Sequence, residues 1–193
     1  SELSLNRLPF NGLPKSWLEI DKIKQYADLI SNEVGANFEK LVSSKISKQF
    51  PHKHDIKSIG NTPVEEFPVF ENGEKTNRTV GQIDFIIINK SKRIIYIADA
   101  KHLKSKYIVT SFYNDKSKFD NYYKKLRDKT MWANEHKELI SDLFELDVTS
   151  YSVQELFITE AYIFYALFVE YPIIPLVSLN TFLDTNRSLC YLE

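Results

Sequence analysis

Cysteine, glycine and proline are all scarce in this sequence. The chain has one cysteine, five glycines and seven prolines among 193 residues. One cysteine cannot form a disulfide within the chain, so we do not expect a disulfide-stabilised secreted domain. The hydrophobic share of 43% and the charged share of 26% are typical of globular proteins. We therefore expect a single cytoplasmic domain over residues 1–193, with a core that needs no disulfide.

Long hydrophobic runs are absent as well. The longest, AYIFYALFV, has nine residues and lies between Glu160 and Glu170, whereas a membrane-spanning helix needs about 20. No apolar leader follows the N-terminal SELSLNRLPF. We therefore expect no membrane partner. Because the first residue is serine rather than methionine, a processed protein and a piece of a longer protein both fit.

The whole chain has almost no net charge, but one segment of it is strongly basic. The net charge of −1 does not by itself indicate a protein that binds nucleic acid. Between residues 101 and 129, however, eight lysines and one arginine stand against three aspartates, a net charge of +6, which leaves −7 for the rest of the chain. This basic segment is a candidate for phosphate contacts, and it also fits the solvated face of a helix.

Hydrophobic periodicity predicts an α/β chain in the order helix, three strands, helix, strand. In the first half of the chain we predict a helix over 16–50 that Gly35 divides and Pro51 ends, a connection over 52–63, a short strand over 64–70 and a polar turn over 71–78. Two strands follow, over 79–88 and 93–101. In the second half we predict a helix over 115–146 broken near Thr130, a long buried strand over 155–169, and a short strand with a helical turn over 171–184.

The clearest predicted element is a β-hairpin whose two strands flank NKSKR. If the loop is centred on Ser91 and Lys92, each residue of one strand pairs with the residue of the other strand that lies equally far from the centre. Asp84 then falls opposite Asp99. Lys101 shares the face of Asp99 because alternate strand residues point the same way. Two carboxylates at the end of an apolar sheet need a cation, and Mg²⁺ suits them because it binds carboxylate oxygens and keeps several waters. The alternative is a structural ion pair at a sheet edge.

The sequence GQID, followed by DAK fifteen residues after Asp84, resembles the motif of the PD-(D/E)xK nuclease superfamily, although Ile83 stands where proline gives the motif its name. Upstream, GANFEKLV is similar to the helix of the Mrr and archaeal Holliday-junction-resolvase branch, where a glycine and an aromatic residue precede an active-site glutamate, here Glu39. The resemblance covers about residues 33–170 and implies a restriction-endonuclease-like core, with a central mixed β-sheet flanked by helices.

The resemblance implies Mg²⁺-dependent hydrolysis of phosphodiester bonds, with Mn²⁺ as a substitute and double-stranded DNA as the expected substrate. Asp84, Asp99 and the Ala100 carbonyl are then expected to bind the metal, and Lys101 to lie beside the attacking water. Glu39 is expected to hold a second metal or a metal-bound water; the alternative is a solvated helix residue paired with a lysine. The expected position of Gln82, on the face of Asp84, suits a group that orients phosphate or water.

Several partners fit the sequence. Expected contacts to nucleic acid are Lys104, Lys106, Lys118, Tyr122, Lys124 and Lys125. A homodimer is compatible with cutting both strands, and attachment to a larger protein also fits the sequence. Two other functions remain open: a nucleic-acid-binding module of a larger defence or replication protein that does not cut, and a protein-interaction domain that uses exposed aromatic residues.

The stretch YIFYALF is expected to pack in the core at strand period.

Overall fold

The computed structural model describes residues 15–103 and 109–185. The helices are α1 (Lys15–Leu18), α2 (Asp21–Ile46), α3 (Val109–Glu135), α4 (Lys137–Phe144) and α5 (Leu179–Thr185). The strands are β1 (His52–Ile56), β2 (Ser58–Ile59), β3 (Thr62–Pro63), β4 (Pro68–Glu71), β5 (Glu74–Thr79), β6 (Ile83–Asn89), β7 (Ile94–Lys101), β8 (Ser152–Thr159) and β9 (Ile173–Pro175).

A five-stranded sheet in the order β1-β6-β7-β8-β9 forms the centre of the protein. Strand β6 pairs antiparallel with both β1 and β7, whereas β7, β8 and β9 run parallel to one another. The predicted α/β class, with a central mixed sheet flanked by helices, is therefore confirmed. No helix within the two described ranges is both long and apolar enough to cross a membrane.

The two faces of this sheet are covered by different helices. On one face, Phe38, Val42 and Ile46 of α2 and three residues of α5 pack against Tyr96, Ala98 and other inward residues of the strands. On the other face, α3 contributes Phe119, Leu126, Trp132 and Ala133, which pack against Ile95 and Ile97. The two sets alternate along β7, as strand geometry requires, so Asp99 and Lys101 belong to the α3 face.

Three predictions for the first half of the chain were wrong. Helix α2 runs through Gly35 without a break, since its buried residues Phe38, Val42 and Ile46 recur every fourth position and hold it on the sheet. Residues 52–56, predicted as part of a connection, form the edge strand β1. The predicted polar turn over 71–78 is mostly strand β5, which pairs with β4 in a separate two-stranded sheet.

The second half shows two further differences. The basic helix ends at Glu135 rather than near Thr130, and His136 separates it from α4. Strand β8 stops at Thr159, and the predicted strand over 155–169 continues as a 3-10 helix at Phe164–Phe168. Its aromatic residues are only partly core, because Tyr165 is buried while Phe164 and Phe168 are exposed. The short strand and helical turn predicted for 171–184 are confirmed as β9 and α5.

Candidate active site

The predicted hairpin and its register are confirmed by β6 and β7. Phe85 pairs with Ala98 and Ile86 with Ile97, and the same register carried one step further sets Asp84 opposite Asp99. The two carboxyl groups are close enough for the charge of Asp99 to raise the pKa of Asp84. The structure therefore brings Asp84, Asp99 and Lys101 together on the α3 face of the sheet, at the end where β6 begins and β7 finishes.

Asp99 accepts contacts from two lysines. The Nζ atom of Lys101 lies 2.6 Å from Asp99 Oδ2, and the Nζ atom of Lys129 donates to Asp99 Oδ1 at 3.1 Å. Only 7% of the Asp99 side chain and 11% of the Lys129 side chain are exposed. A carboxylate this deeply buried requires such partners, because an uncompensated charge there would cost several kcal/mol.

Asp84 has a different environment. Its Oδ2 atom accepts a hydrogen bond from the backbone N–H of Ala100 at 3.0 Å. Burial, together with the neighbouring charge of Asp99, raises the pKa of Asp84 to about 7. Asp84 therefore carries a proton over much of the range in which an ordinary aspartate is ionised, and its protonated carboxyl can donate to Asp99.

Asp99 and Lys101 are both held in their charged forms. Burial alone would raise the pKa of Asp99, but the ammonium groups of Lys129 and Lys101 outweigh it and lower that pKa. Burial would likewise lower the pKa of Lys101, but Asp99 and Asp84 outweigh it and raise that pKa. The Lys101 ammonium also lies 5.2 Å from the centroid of the Tyr122 ring. Lys101 is therefore a donor of hydrogen bonds at neutral pH and not a general base.

Lys129 is the member of this cluster that sequence reasoning missed. It lies in the interior of α3, on the stripe formed by the buried residues Phe119, Leu126 and Ala133, and 30 positions from Asp99. The available signal is its spacing, since a lysine three residues after a buried leucine and four before a buried alanine faces the sheet. A charged residue on the apolar side of a helix needs a buried counter-ion, and Asp99 supplies it.

Glu39 lies on a different helix and a different face of the sheet from this cluster. Glu39 belongs to α2, which packs on the opposite face of the sheet, and its Oε2 atom lies 3.5 Å from His54 Nε2. His54 in turn packs on Phe85, with 4.6 Å between ring centroids. Glu39 thus lies at the same end of the sheet as Asp84 but on the opposite face. Its catalytic role remains a prediction. Gln82 is half-buried two residues before Asp84, just outside β6.

The residues predicted to contact nucleic acid fall into three groups. Lys124 and Lys125 are exposed on α3, whereas Lys118 and Tyr122 are half-buried. The Tyr122 ring faces Lys101, so it also belongs to the surroundings of the carboxylate pair. Lys104 and Lys106 lie outside the described residues.

The available donors favour one class of metal. Across residues 15–103 and 109–185, no group of three or more His, Cys, Asp or Glu side chains is placed to hold a metal ion. A site built on Asp84 and Asp99 alone would suit Mg²⁺, which is often bound through one or two carboxylates and keeps several waters. It would not suit Zn²⁺, which takes three or four nitrogen, sulfur or carboxylate ligands from the protein.

Comparison of the chain with protein-family models, with curated protein sequences and with solved structures finds no match. The carboxylate pair and its lysines are therefore the features from which a function can be inferred.

Proposed function

We propose that this protein is a metal-dependent nuclease that hydrolyses phosphodiester bonds, with Asp84, Asp99 and Lys101 at its active site. The observation that supports it is the convergence of two carboxyl groups and one ammonium on a single sheet face, in the spacing that resembles the PD-(D/E)xK motif. The order of helix, three central strands, helix and strand in the described chain is compatible with the core that this motif implies.

The chemistry of the pair fits Mg²⁺. Asp84 retains a proton because its ionised form would add a second negative charge to a buried site. A divalent cation removes that penalty more effectively than a proton, so Asp84 and Asp99 would hold Mg²⁺, together with the Ala100 carbonyl that the resemblance implies. When bound, the metal supplies Lewis-acid polarisation of the phosphodiester and a lowered pKa for a water.

The protein's own groups then have separate roles. Asp84 would bind the metal in its ionised form, with its proton released to solvent. Lys101 remains an ammonium, orients the attacking water and donates to the negative charge that develops on the phosphate oxygens. Lys129 holds the Asp99 carboxylate in place from the opposite side. We further propose double-stranded DNA as the substrate, cut internally, with Glu39 and Gln82 as supporting groups and with dimerisation as one way to cut both strands.

A second candidate is a nucleic-acid-binding module that does not cut. The observation that favours it is that both oxygens of Asp99 already contact ammonium groups, so the described cluster is close to charge balance without a cation. In that case the cluster is a structural ion pair. The two candidates differ in whether the full chain nicks DNA.

The test is the conversion of supercoiled plasmid to nicked circles in Mg²⁺ or Mn²⁺. Lys101→Met should lower the nicking rate by about 100-fold or more, because it removes a donor that acts in the transition state, while retaining binding to the plasmid. Lys90→Met is the matched control, since Lys90 is exposed in the loop at the far end of the hairpin. Binding of wild-type protein without any nicking would instead support the second candidate.

A further inference from the structure

An exposed group of aromatic side chains follows strand β8. Phe164 and Phe168 are 59% and 61% exposed, and Tyr162 is 49% exposed. The 3-10 helix Phe164–Phe168 brings its two terminal rings together edge to face, with 5.4 Å between centroids. We call Tyr162, Phe164 and Phe168 the aromatic platform.

The backbone of the aromatic platform is anchored to the core of the protein. Residues Ile163 and Tyr165, which alternate with its members, are buried in the core on the α3 side. The Tyr165 hydroxyl donates to Asp120 Oδ1 on α3 at 3.0 Å, and the Tyr162 hydroxyl lies 3.0 Å from the hydroxyl of Ser178. Because the backbone beneath the rings is anchored, little conformational entropy is lost when a ligand covers them.

The platform lies at the same end of the sheet as the carboxylate pair. Strands β7 and β8 are parallel, with Lys101 in register with Thr159, the last residue before the platform segment. One residue further along each strand's chain, His102 Nε2 lies 2.9 Å from Glu160 Oε2. A second connection runs through α3, since the ring of Phe119 contacts both Tyr165 and Tyr122.

Positive charge borders the base of the platform. Lys116 Nζ lies 2.6 Å from Asp120, the residue that Tyr165 also contacts. Lys124, one helical turn further along α3, is close enough for its charge to act on Asp120 as well. Among these three groups, the two exposed lysines outnumber the single carboxylate by one charge.

We propose that the aromatic platform binds the unpaired bases of a single-stranded stretch of nucleic acid, with Lys116 and Lys124 facing its phosphates. Exposed rings with lysines on the neighbouring helix suit such a strand, because every base offers a face for stacking and every nucleotide carries a negative charge. This inference rests on the proposed function, to which it adds a substrate class: strands with unpaired nucleotides next to the cut site.

The test measures binding of the full chain to a fluorescein-labelled oligothymidylate by anisotropy, in EDTA so that no hydrolysis occurs. An abasic oligonucleotide and a blunt duplex of equal length serve as matched ligands. Phe164→Ala and Phe168→Ala should each raise the Kd for oligothymidylate by about 5- to 150-fold, the effect of losing one stacked base. Phe164→Trp should retain the wild-type Kd. Leu167→Ala is the control, since Leu167 is an exposed aliphatic residue of the same segment.

Three results would overturn the proposal. The first is an unchanged Kd in both alanine variants, and the second is an equal loss for the abasic strand, which has no bases to stack. The third is a wild-type dimer that Phe168→Ala converts to a monomer with unchanged oligothymidylate affinity, because the rings would then cover a second copy of this chain. Since binding is measured without metal, a failure to nick plasmid leaves this result intact, and the two proposals fail separately.

Discussion

Replacing Asp84 by asparagine should stabilise the protein above neutral pH. The folded pKa of Asp84 is raised from 3.8 to about 7, so the folded state binds a proton more tightly than the unfolded state does. The stability that this proton provides is complete below pH 3.8 and is lost as pH rises through about 7. Asparagine resembles the protonated carboxyl, since it can accept from Ala100 and donate to Asp99 at any pH.

The size of the effect follows from the same pKa shift. Between pH 5 and pH 8 the wild-type protein should lose about 2 to 3 kcal/mol of unfolding free energy through the titration of Asp84 alone. The Asp84→Asn variant lacks this loss. Urea unfolding at several pH values in EDTA measures the difference, and Asp142→Asn, an exposed aspartate on α4, is the control.

A difference between the variant and the wild type that does not change with pH would refute this reasoning, and so would a variant that is less stable than wild type at pH 8. Repeating the series in Mg²⁺ tests the metal separately. Wild type at pH 8 should gain about 2.7 kcal/mol at a metal concentration one hundred times its Kd, and Asp84→Asn should gain much less. The pH series depends only on the geometry of the pair, whereas the magnesium series depends on the proposed function.

Three other substitutions have clear expected outcomes. Asp99→Asn should lower the unfolding free energy by about 3 kcal/mol, opposite in sign to Asp84→Asn, because buried Lys129 and half-buried Lys101 lose their shared carboxylate; equal stability in urea would contradict this. Lys129→Met should tighten Mg²⁺ binding about 5-fold or more, because one cation is removed, as calorimetry can measure. Glu39→Gln should change stability by under about 0.5 kcal/mol and slow nicking about tenfold; unchanged nicking would assign Glu39 to its His54 contact alone.

The hairpin and its charged end were predictable because their determinants are local. Strands β6 and β7 are runs of β-branched residues, and the loop length between them fixes which residues pair. Asp84, Asp99 and Lys101 then fall on one face by alternation alone. Helix α3 was predictable from its local sequence, although its start at Val109 and its end at Glu135 were not.

Elements that depend on distant partners were not predictable. Strand β1 has the sequence HKHDI, which carries little strand signal, and it forms because the free edge of β6 offers it backbone partners. Phe164 and Phe168 look like core residues by composition, but the segment turns after Thr159 and leaves their rings exposed. In both cases tertiary context outweighed local preference.

Lys129 shows why a charged cluster is hard to read from a motif alone. The motif supplies two carboxylates and one ammonium, and this imbalance is what suggested a divalent cation. The structure adds a second ammonium from α3, so that the four groups are balanced once Asp84 ionises. Balance does not remove the need for a cation at Asp84, because both ammonium contacts go to Asp99 and the pKa of Asp84 stays raised. The two carboxyl groups are therefore not equivalent. Asp99 is fixed in place by lysines, and in the proposed function Asp84 would be the ligand whose proton a metal displaces.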